Sequence, residues 1–215
     1  FSGGTSYTET VGSSGTPASI GLTSACGTSV SFGSGDTIST SSTVITGATA
    51  NGQSNIIVVN PAAAGWNYQT FGIWGTGVAS GTLGVFSVGA ATNGAAVPAA
   101  GTGNYIGLVS GVYSDSSGTA SGVAGVMHAT ANFSTRDIDF STSNTNSGSG
   151  STGGPNPNLE LSGTLTYAAG ANQFSGTLAT VGGGAGNAAM SGKGSGTFFG
   201  PAAEEIGGCG ERPPA

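Results

Sequence analysis

The sequence from Met190 to Gly208, Met-Ser-Gly-Lys-Gly-Ser-Gly-Thr-Phe-Phe-Gly-Pro-Ala-Ala-Glu-Glu-Ile-Gly-Gly, decides how the fold is interpreted. Its first part ends in two adjacent aromatic residues, which is typical of a β-strand, and the Gly-Pro pair that follows ends the strand. The short acidic segment 201–206 predicts at most one helical turn, and Gly207-Gly208 then breaks it. The stretch therefore predicts a strand followed by a tight reversal of the chain.

The composition around this stretch favours an all-β protein. The chain has 215 residues, of which 36% are hydrophobic, 6% are charged and 43 in number are glycine. A disordered chain would carry more charge and less apolar content, so a core is expected. Gly, Ser, Asn and Thr favour turns and strands, and no long apolar stripe of helical period is present.

The charge of the chain excludes several function classes. The net charge is −6, and the basic residues are Arg136, Lys193 and Arg212. Nucleic-acid binding and docking on anionic lipid both need clusters of Lys or Arg, so neither is expected. No apolar run approaches the roughly 20 residues of a membrane-spanning helix. The chain begins at Phe1 without a charged and apolar leader, which we interpret as the processed form of an exported protein.

Strands are predicted along most of the chain. They lie near residues 66–75, 81–88, 102–114, 121–133, 136–143, 158–167, 172–180 and 187–199. Alternation supports them, because one parity of 121–133 is apolar and should face inward, whereas the other parity is polar and should face outward. The inward set is Val123, Met127, Ala129, Ala131 and Phe133; the outward set is His128, Thr130 and Asn132. Eight such strands with one apolar face predict an antiparallel up-and-down β-barrel, since closure removes exposed edges.

The chain before these strands differs in character. Residues 1–42 are rich in Gly, Ser and Thr and predict an extended arm. Residues 43–60 predict a β-hairpin around Asn51-Gly52, with a longer loop left open as an alternative. We therefore predict two parts, an N-terminal arm and hairpin over 1–60 and a β-barrel over 61–215, with loops at 89–100 and 141–157.

The order of four segments resembles the β-barrel domain of the transferrin-binding protein B family. They are Tyr68-x-x-Phe71-Gly72-x-Trp74; Gly103-Asn-Tyr-Ile-Gly107 with Gly111-Val-Tyr113; Ala129-Thr-Ala-Asn-Phe-Ser134 with Asp137-Ile-Asp-Phe140; and Leu165-Thr-Tyr with Gln173-Phe-Ser-Gly176 and the closing stretch to Gly208. The resemblance implies a non-catalytic binding protein at the outer-membrane surface of a Gram-negative bacterium, or outside the cell. It also implies that the ligand is a protein or haem, and that binding serves either nutrient acquisition or attachment to a host or partner protein. The loops 89–100 and 141–157 would be the contact elements.

One feature departs from that family. Its members usually place another apolar strand after the Gly-Gly pair, whereas Cys209–Ala215 carries two prolines and two charges and predicts a poor strand. The open edge would then be filled by residues 43–60, by the 1–42 arm or by a strand from another copy. The last option makes the protein a structural subunit of an extracellular filament or surface layer that assembles by β-strand addition. Cys26 and Cys209 are a candidate disulfide that would tie the arm to the C-terminus, with two unpaired thiols as the alternative.

Three aromatic residues and one histidine are the candidate binding residues. Trp66, Tyr68 and Trp74 share one parity of the first predicted barrel strand. Exposed Trp and Tyr are typical anchors of an interface, and the alternative is that the N-terminal arm covers them. His128 is the single histidine, and its predicted outward position permits a haem or metal role, although a plain surface residue is the commoner case.

Catalytic and metal-binding motifs are weak. Asp137 and Asp139 share a strand face and fit Ca²⁺ or solvated carboxylates, and we favour the latter. Glu204 and Glu205 are sequence neighbours that point apart, which favours a role in the turn over paired acid–base chemistry. The GxGxxG match at Gly148–Gly153 lacks a strand–helix context, and no nucleophile elbow is present. We therefore predict no enzyme activity, no metal site and no resident cofactor, with haem left open.

Overall fold

The computed structural model describes residues 6–11, 17–23, 29–77, 82–114, 120–148, 153–181 and 190–211. Its described residues are almost entirely β-strand, which confirms the all-β prediction. Internal contacts divide the chain into two compact units, Phe1–Ala90 and Ala91–Ala215. None of the helices in the described part of the chain combines the length and hydrophobicity that a membrane crossing needs.

The Phe1–Ala90 unit contains two antiparallel sheets. The first has three strands in the order β1-β2-β3: β1 Ser6–Val11, β2 Pro17–Thr23 and β3 Ser29–Phe32. The second has five strands in sequence order: β4 Thr37–Thr40, β5 Val44–Ala48, β6 Ser54–Val59, β7 Gln69–Thr76 and β8 Thr82–Gly89. A single helical turn, α1 Pro61–Ala64, connects β6 to β7.

Three large apolar side chains of the N-terminal segment belong to the eight buried residues of this unit's core. Ile20, Leu22 and Phe32 are each at most 2% exposed. They pack with apolar residues of the five-stranded sheet, namely Ile45, Ile56, Val58, Trp74 and Phe86. The predicted hairpin is confirmed, because β5 pairs with β6 from Val44 opposite Val59 to Ala48 opposite Asn55. Its connection is the longer loop, with Gly52 at φ 69°.

The Ala91–Ala215 unit contains one eight-stranded antiparallel sheet that is nearly a closed barrel. Its strands are β9 Thr102–Ser114, β10 Ala120–Asn132, β11 Asp137–Gly148, β12 Gly154–Pro155, β13 Leu161–Thr166, β14 Gln173–Thr180, β15 Ser191–Phe199 and β16 Glu205–Glu211. The order is β16-β15-β14-β13-β11-β10-β9, and β12 pairs with β11 beside that path. Among the described residues of this unit, 3₁₀ turns lie at Gly94–Ala96 and Pro157–Leu159.

The predicted alternation of β10 is confirmed. Ala129 and Ala131, with Phe133 just beyond the strand, are buried in the core, and Met127 packs against it. Phe198 is the centre of this core. It is completely buried, and its ring lies 5.1 to 6.1 Å from the rings of Phe133, Tyr167 and Phe174.

Residues before β9 close one end of this sheet. Ala91 forms an isolated bridge with Phe199, and Thr92 is 1% exposed. The Thr92 backbone N–H donates to the Phe198 carbonyl at 2.8 Å, and its hydroxyl donates to the Gly200 carbonyl at 2.7 Å. Part of the segment predicted as loop 89–100 is therefore tied to the end of β15.

The prediction that the residues after Gly208 make a poor strand is wrong for the described residues up to Glu211. β16 begins at Glu205 and pairs with β15 from Phe199 opposite Glu205 to Lys193 opposite Glu211. The Gly-Gly pair lies inside the strand because the backbones approach closely there: a Cβ at Gly208 would collide with the Ser195 carbonyl oxygen. The two prolines, Pro213 and Pro214, lie outside the described residues. The missing last strand on which the filament hypothesis depended is therefore present.

The segment 201–206, predicted to contain at most one helical turn, forms a non-helical turn followed by the start of β16. Residues 200–203 form a turn in which Ala203 has φ 64°, and β16 starts two residues later. The Glu204 carboxylate accepts a hydrogen bond from the Ala202 N–H at 2.8 Å, so it stabilises the turn. Glu205 belongs to the strand.

The strand expected to begin the barrel has other partners. β7 pairs with β6 and with β8, in the five-stranded sheet of the Phe1–Ala90 unit. The strands predicted near 66–75 and 81–88 therefore exist but complete a different sheet, while β12 and β16 belong to the barrel sheet. The division of the chain at residues 60 and 61 stays a prediction.

Candidate functional site

A cleft of about 360 Å³ in the Phe1–Ala90 unit gathers two of the predicted binding residues. It lies beside α1, where β7 begins and β8 ends. Its lining residues are Pro61, Trp66, Asn67, Tyr68, Gln69, Thr70, Val88 and Gly89. Apart from the Tyr68 phenol, none of these side chains ionises, so the cleft is neutral.

The single turn of α1 positions the start of the cleft. Asn60 caps it, since the Asn60 side-chain oxygen accepts a hydrogen bond from the Ala62 N–H at 3.2 Å, and Pro61 occupies the first helical position. Gly65 ends the turn in the left-handed conformation at φ 73°. The Trp66 N–H then donates to the Pro61 carbonyl at 2.9 Å. This sequence of caps fixes the chain direction immediately before the aromatic residues.

Neighbouring contacts hold the cleft side chains. The Trp66 ring packs against the Phe71 ring, with centroids 5.6 Å apart and planes tilted by 42°. Ser87 Oγ donates to Gln69 Oε1 at 3.3 Å, and Thr70 Oγ1 donates to the Val59 carbonyl at 2.7 Å. These contacts make the wall of the cleft preorganised.

Gly89 lines the cleft where two backbone segments approach closely. A Cβ there would collide with the Tyr68 carbonyl oxygen, so the β8 backbone approaches the start of β7 more closely than any other residue would allow. The same Tyr68 carbonyl accepts a hydrogen bond from the Ala90 N–H at 2.8 Å. Tyr68 is thereby fixed through its backbone.

Trp74 lies elsewhere. Its side chain is 3% exposed and belongs to the core that β2 and β3 complete, so for this residue the structure shows the covered alternative. Its Nε1 is buried without a hydrogen-bond partner among the described residues. The parity argument grouped it with Trp66 and Tyr68, but β7 starts only at Gln69 and the two earlier residues precede the strand. We do not carry Trp74 into the candidate site.

His128 lies on β10 in the other unit and faces away from the core. It is half-buried, its Nε2 is hydrogen-bonded to Ser143 Oγ at 3.0 Å, and its Cα partner on β9 is Ile106. Within the described ranges, no three His, Cys, Asp or Glu side chains come together as a metal site would need. A haem role for His128 stays a prediction.

The outer face of β9 carries an apolar surface that the sequence analysis missed. Ile106, Leu108 and Val112 are 73%, 53% and 46% exposed. Val126 on β10 is opposite Leu108. We call these four residues the outer patch. The sequence signal was present, because both parities of 102–114 carry large apolar side chains, and only one parity can face the core.

Polar residues border the outer patch. Thr130 Oγ1 donates to Asn104 Oδ1 at 3.0 Å on one side, and the hydrogen-bonded His128 and Ser143 lie on the other. A β-bulge between Ala124 and Val126 shifts the register of β10 against β11, and Asn144 adopts φ 52° there. An apolar centre with a polar border is the usual arrangement of a protein interface.

The barrel sheet contributes two tyrosines to its core, the half-buried Tyr105 and the buried Tyr167. Tyr105 donates from its hydroxyl to the Ala203 carbonyl at 2.7 Å. Burial raises the pKa of Tyr105 to about 12, and the nearby Tyr167 and Glu204 add to the increase. Burial also raises the pKa of Tyr167, with Arg136 opposing the shift and Asp137 reinforcing it. Both groups are neutral hydrogen-bond donors at physiological pH, and the Tyr167 hydroxyl has no partner among the described residues.

The remaining candidates are dispersed. Asp139 accepts a hydrogen bond from Thr164 Oγ1 at 3.2 Å, and Asp137 lies two residues away on β11. Cys209 is half-buried in β16 opposite Ser195. Cys26 lies outside the described residues, so the disulfide with Cys209 stays a prediction.

Comparison with known proteins shows a likeness of fold. No protein-family model and no curated protein matches the chain. Solved structures do match: a single-substitution variant of the vaccine antigen transferrin binding protein B from Haemophilus parasuis gives a TM-score of 0.58 at 16% identity, covering 85% of this chain and 35% of its own. A double-substitution variant of that protein gives 0.57 at 18% identity, with 85% and 35% covered. The chain has a fold like that of transferrin binding protein B.

A third solved structure extends this result. The intact Ap-TbpB, with its N and C lobes, gives a TM-score of 0.50 at 18% identity and covers 85% of this chain and 36% of its own. The chain therefore spans about a third of the length of the solved proteins that it matches. Because the matched 85% is longer than either compact unit, the likeness includes strands of both units.

Proposed function

We propose that this chain belongs to a non-catalytic protein that is exported or exposed at the surface of a Gram-negative bacterium and binds another protein there. The observation that carries the proposal is the outer patch on the barrel sheet. The fold likeness to transferrin binding protein B supports the surface location and the protein ligand. Transferrin is the ligand named for those proteins, and it is one candidate for this chain.

The physical argument concerns water. Three large apolar side chains that alternate along one edge strand, each about half exposed or more, form a row that is favourable to cover. A partner surface that covers them gains less than the roughly 1.5–3 kcal/mol of a side chain moved fully out of water, because 46–73% of each side chain is exposed before binding. The three side chains together therefore contribute about 3–5 kcal/mol.

The strand also holds these side chains rigidly. β9 pairs with β10 over all of its length, from Ala120 opposite Ser114 to Asn132 opposite Thr102. Ile and Val have restricted side-chain rotamers, so ordering them on binding costs little conformational entropy. The patch is therefore preorganised for a flat apolar partner surface.

The test uses the full chain and a double variant of the patch, Ile106→Ser with Leu108→Ser. Val181→Ser is the matched control, because Val181 is an apolar residue of the same unit outside the outer patch and is 65% exposed. Immobilised wild-type and variant proteins are incubated with serum and with purified transferrin, and captured proteins are quantified by mass spectrometry and then by biolayer interferometry. We expect at least one protein to bind wild type and Val181→Ser equally and the double variant at least tenfold more weakly.

Location is tested separately by protease treatment of intact cells that express the protein. Surface exposure predicts that the protein is cleaved while a periplasmic marker is protected. The proposal is wrong if the protein is protected like that marker, or if no captured protein distinguishes wild type from the double variant. A shift of the melting temperature in the double variant would disclose misfolding, and the single variants then replace it.

A further inference from the structure

The barrel sheet has a seam between its two outermost strands, β9 and β16. In the described part of the chain, the path from β9 to β16 runs through seven strands, since β12 pairs with β11 beside that path. Every pairing along the path is antiparallel. With seven strands, β9 and β16 run in the same direction. One further strand that runs opposite to both would complete an eight-stranded antiparallel barrel.

The seam is wide enough for one more strand. Nearly all Cα atoms of β9 lie more than 8 Å from every Cα atom of β16. Directly paired strands lie about 4.7–4.9 Å apart, so two edges that flank a single strand are roughly 9.5 Å apart. The Tyr105 hydroxyl donates to the Ala203 carbonyl at 2.7 Å, which joins β9 near its start to the turn before β16. The seam is therefore bounded at that end and open along the strands.

Glycine residues show that the seam reaches the barrel interior. On the central strand β10, the inward-facing side chain of Ala129 is 3% exposed. On β9 the odd positions face inward, and Gly111 among them is partly exposed. A Cβ at Gly111 would meet no atom of the described residues within 4 Å. On β16, Gly208 and Gly210 are exposed although they share the parity of the buried Ile206. The interior beside the seam is therefore open, whereas the interior at the central strands is packed.

The backbone of β9 offers a hydrogen-bonding edge on this side. β10 is its one strand partner among the described residues, so alternate N–H and C=O groups over 104–112 point towards the seam. No described backbone group pairs with them there. The sequence of β9 contains no proline and no charged residue, which are two of the devices that protect edge strands. Such an edge is a template for an added strand.

We propose that an extended segment of the bound partner protein adds to β9 in this seam as an antiparallel strand. The inference rests on the proposed protein-binding function and names what the partner presents beside the outer patch. β9 carries both features, because its outward side chains form most of the patch and its edge borders the seam. Main-chain hydrogen bonds supply affinity in this mode of recognition, and alternate side chains supply specificity.

The two faces of the seam define the chemistry of the added segment. Outward, its neighbours on β9 are Ile106 and Leu108, so apolar side chains are favoured there. Inward, its neighbours on β9 are Gly107 and Gly111, which have no side chain to fill the space, so large apolar side chains are favoured. A strand that is buried on both faces is a continuous apolar run. The segment is therefore about seven residues long, the length of β16, apolar throughout, and free of charge and proline.

The first experiment is a titration of the full-length chain with a designed peptide. The probe is the capped peptide Thr-Val-Ile-Val-Phe-Val-Thr-Lys-Lys, whose lysines provide solubility. The control is the same peptide N-methylated at its central residues, Ile-Val-Phe, which keeps the side chains and removes the backbone donors. By isothermal titration calorimetry we expect a Kd on the order of 10 μM for the probe and binding about tenfold weaker for the control. Hydrogen exchange should slow within 102–114 when the probe binds.

Two matched glycine variants locate the binding. Gly111→Asp places a carboxylate in open space beside the seam, so the free protein tolerates it, whereas an added strand would bury the charge. We expect it to weaken binding of the probe by about tenfold. Gly122→Asp is the control, because Gly122 is an exposed residue of β10 at which a Cβ would lie 3.6 Å from its nearest atom. It makes the same change of charge and should bind the probe like wild type.

Each contrary result has one meaning. Absence of probe binding, equal binding of the two peptides, unchanged binding by Gly111→Asp, or protection confined to residues outside 102–114 overturns the inference. Analytical ultracentrifugation of the protein without peptide should show a monomer. Self-association that Gly111→Asp abolishes would assign the seam to a second copy and would also overturn it. If the peptide fails while the outer patch still captures a protein, only the added strand is refuted. If the peptide binds while no protein is captured, the proposed function fails and the seam remains a strand-binding site.

Discussion

Removing the phenol hydroxyl from either of two core tyrosines should have opposite effects on stability. Tyr105→Phe and Tyr167→Phe each remove one hydroxyl from a side chain that contributes to the same core. The Tyr105 hydroxyl donates to the Ala203 carbonyl at 2.7 Å. The Tyr167 hydroxyl is buried without a partner among the described residues. The difference between the two variants therefore isolates the hydrogen bond.

The magnitudes follow from those contacts. Removing the Tyr105 hydroxyl loses a hydrogen bond with a net value of about 0.5–1.5 kcal/mol and leaves the carbonyl of a residue that is 4% exposed without this donor. We expect Tyr105→Phe to lower the free energy of unfolding by about 1–2 kcal/mol. Tyr167→Phe keeps the ring that packs on Phe198 at 5.1 Å and removes a group that is buried at a cost. We expect no loss, or a gain of up to about 1 kcal/mol.

The assay is urea unfolding at neutral pH with two probes. Both tryptophans, Trp66 and Trp74, lie in the Phe1–Ala90 unit, so their fluorescence reports that unit. The tyrosine band of the near-ultraviolet circular dichroism spectrum includes the three tyrosines of the barrel unit: Tyr105, Tyr113 and Tyr167. The urea midpoint followed by circular dichroism should fall in Tyr105→Phe and should stay the same or rise in Tyr167→Phe. The midpoint followed by tryptophan fluorescence should stay constant in both variants.

The contrary result is easily recognised. If Tyr167→Phe destabilises the barrel by more than about 1 kcal/mol, its hydroxyl has a partner and the assignment of an unsatisfied group is wrong. If Tyr105→Phe leaves the midpoint unchanged, the bond to the Ala203 carbonyl does not hold the turn before β16. Equal effects in the two variants would refute the reasoning as a whole.

Three further predictions concern the same barrel. First, because the folded-state pKa of Tyr105 is about 12 against an ordinary value of 10.0, the stability due to its neutral form is present below pH 10 and is lost as the pH rises towards 12. Phenolate absorbance should show an ionisation near pH 12 that is absent from Tyr105→Phe. Secondly, Phe198→Ala removes a completely buried ring and should cost about 3–5 kcal/mol, measured by urea unfolding, and a loss below 1 kcal/mol would contradict its central position. Thirdly, Gly208→Ala should lower the free energy of unfolding by about 1–3 kcal/mol, because the new Cβ would collide with the Ser195 carbonyl oxygen. Gly210→Ala is the control and should be neutral or slightly stabilising, because its Cβ would lie 3.4 Å from the nearest atom, the Lys193 carbonyl oxygen. Equal melting temperatures for the two variants would argue against the close approach at Gly208.

Local features of the fold were predictable from the sequence because their signals are local. The strand predicted at 102–114 is observed as Thr102–Ser114, and that at 121–133 as Ala120–Asn132. A strand with one buried face repeats every two residues, so Ala129 and Ala131 could be assigned to the core without a partner strand. The Asn51-Gly52 signal likewise located the hairpin of β5 and β6.

The pairing of strands was harder, because it depends on residues far apart in sequence. β7 has the apolar alternation of a barrel strand, and nothing within it says that β6 and β8 are its neighbours. β16 was missed for a different reason: glycine is a weak strand former, so Gly207-Gly208 suggested a break. The close approach of the Gly208 backbone to Ser195, which makes glycine necessary there, is visible only in three dimensions.

The candidate sites likewise combine local features that the sequence predicts with features that depend on the fold. Sequence identified Trp66 and Tyr68 as potential binding residues, since large aromatic side chains are common at interfaces. It could not separate them from Trp74, because the start of β7 at Gln69 sets which residues obey strand parity. The outer patch was missed because Ile106 and Leu108 resembled core residues, although Tyr105 and Val109 occupied the inward parity.

The low charge of the chain has the same consequence for both candidate sites, the outer patch and the cleft. With 6% charged residues and a net charge of −6, the protein has little electrostatic attraction to offer a partner at long range. The binding proposed for this protein therefore depends on short-range burial of apolar side chains. Association without steering proceeds at roughly 10⁵–10⁶ M⁻¹s⁻¹ and depends little on salt. Tight binding by such a surface therefore requires slow dissociation, which rigid, preorganised anchors favour. Strand β9, paired with β10 over its whole length, and the Trp66 ring, supported by Phe71, are rigid in this sense.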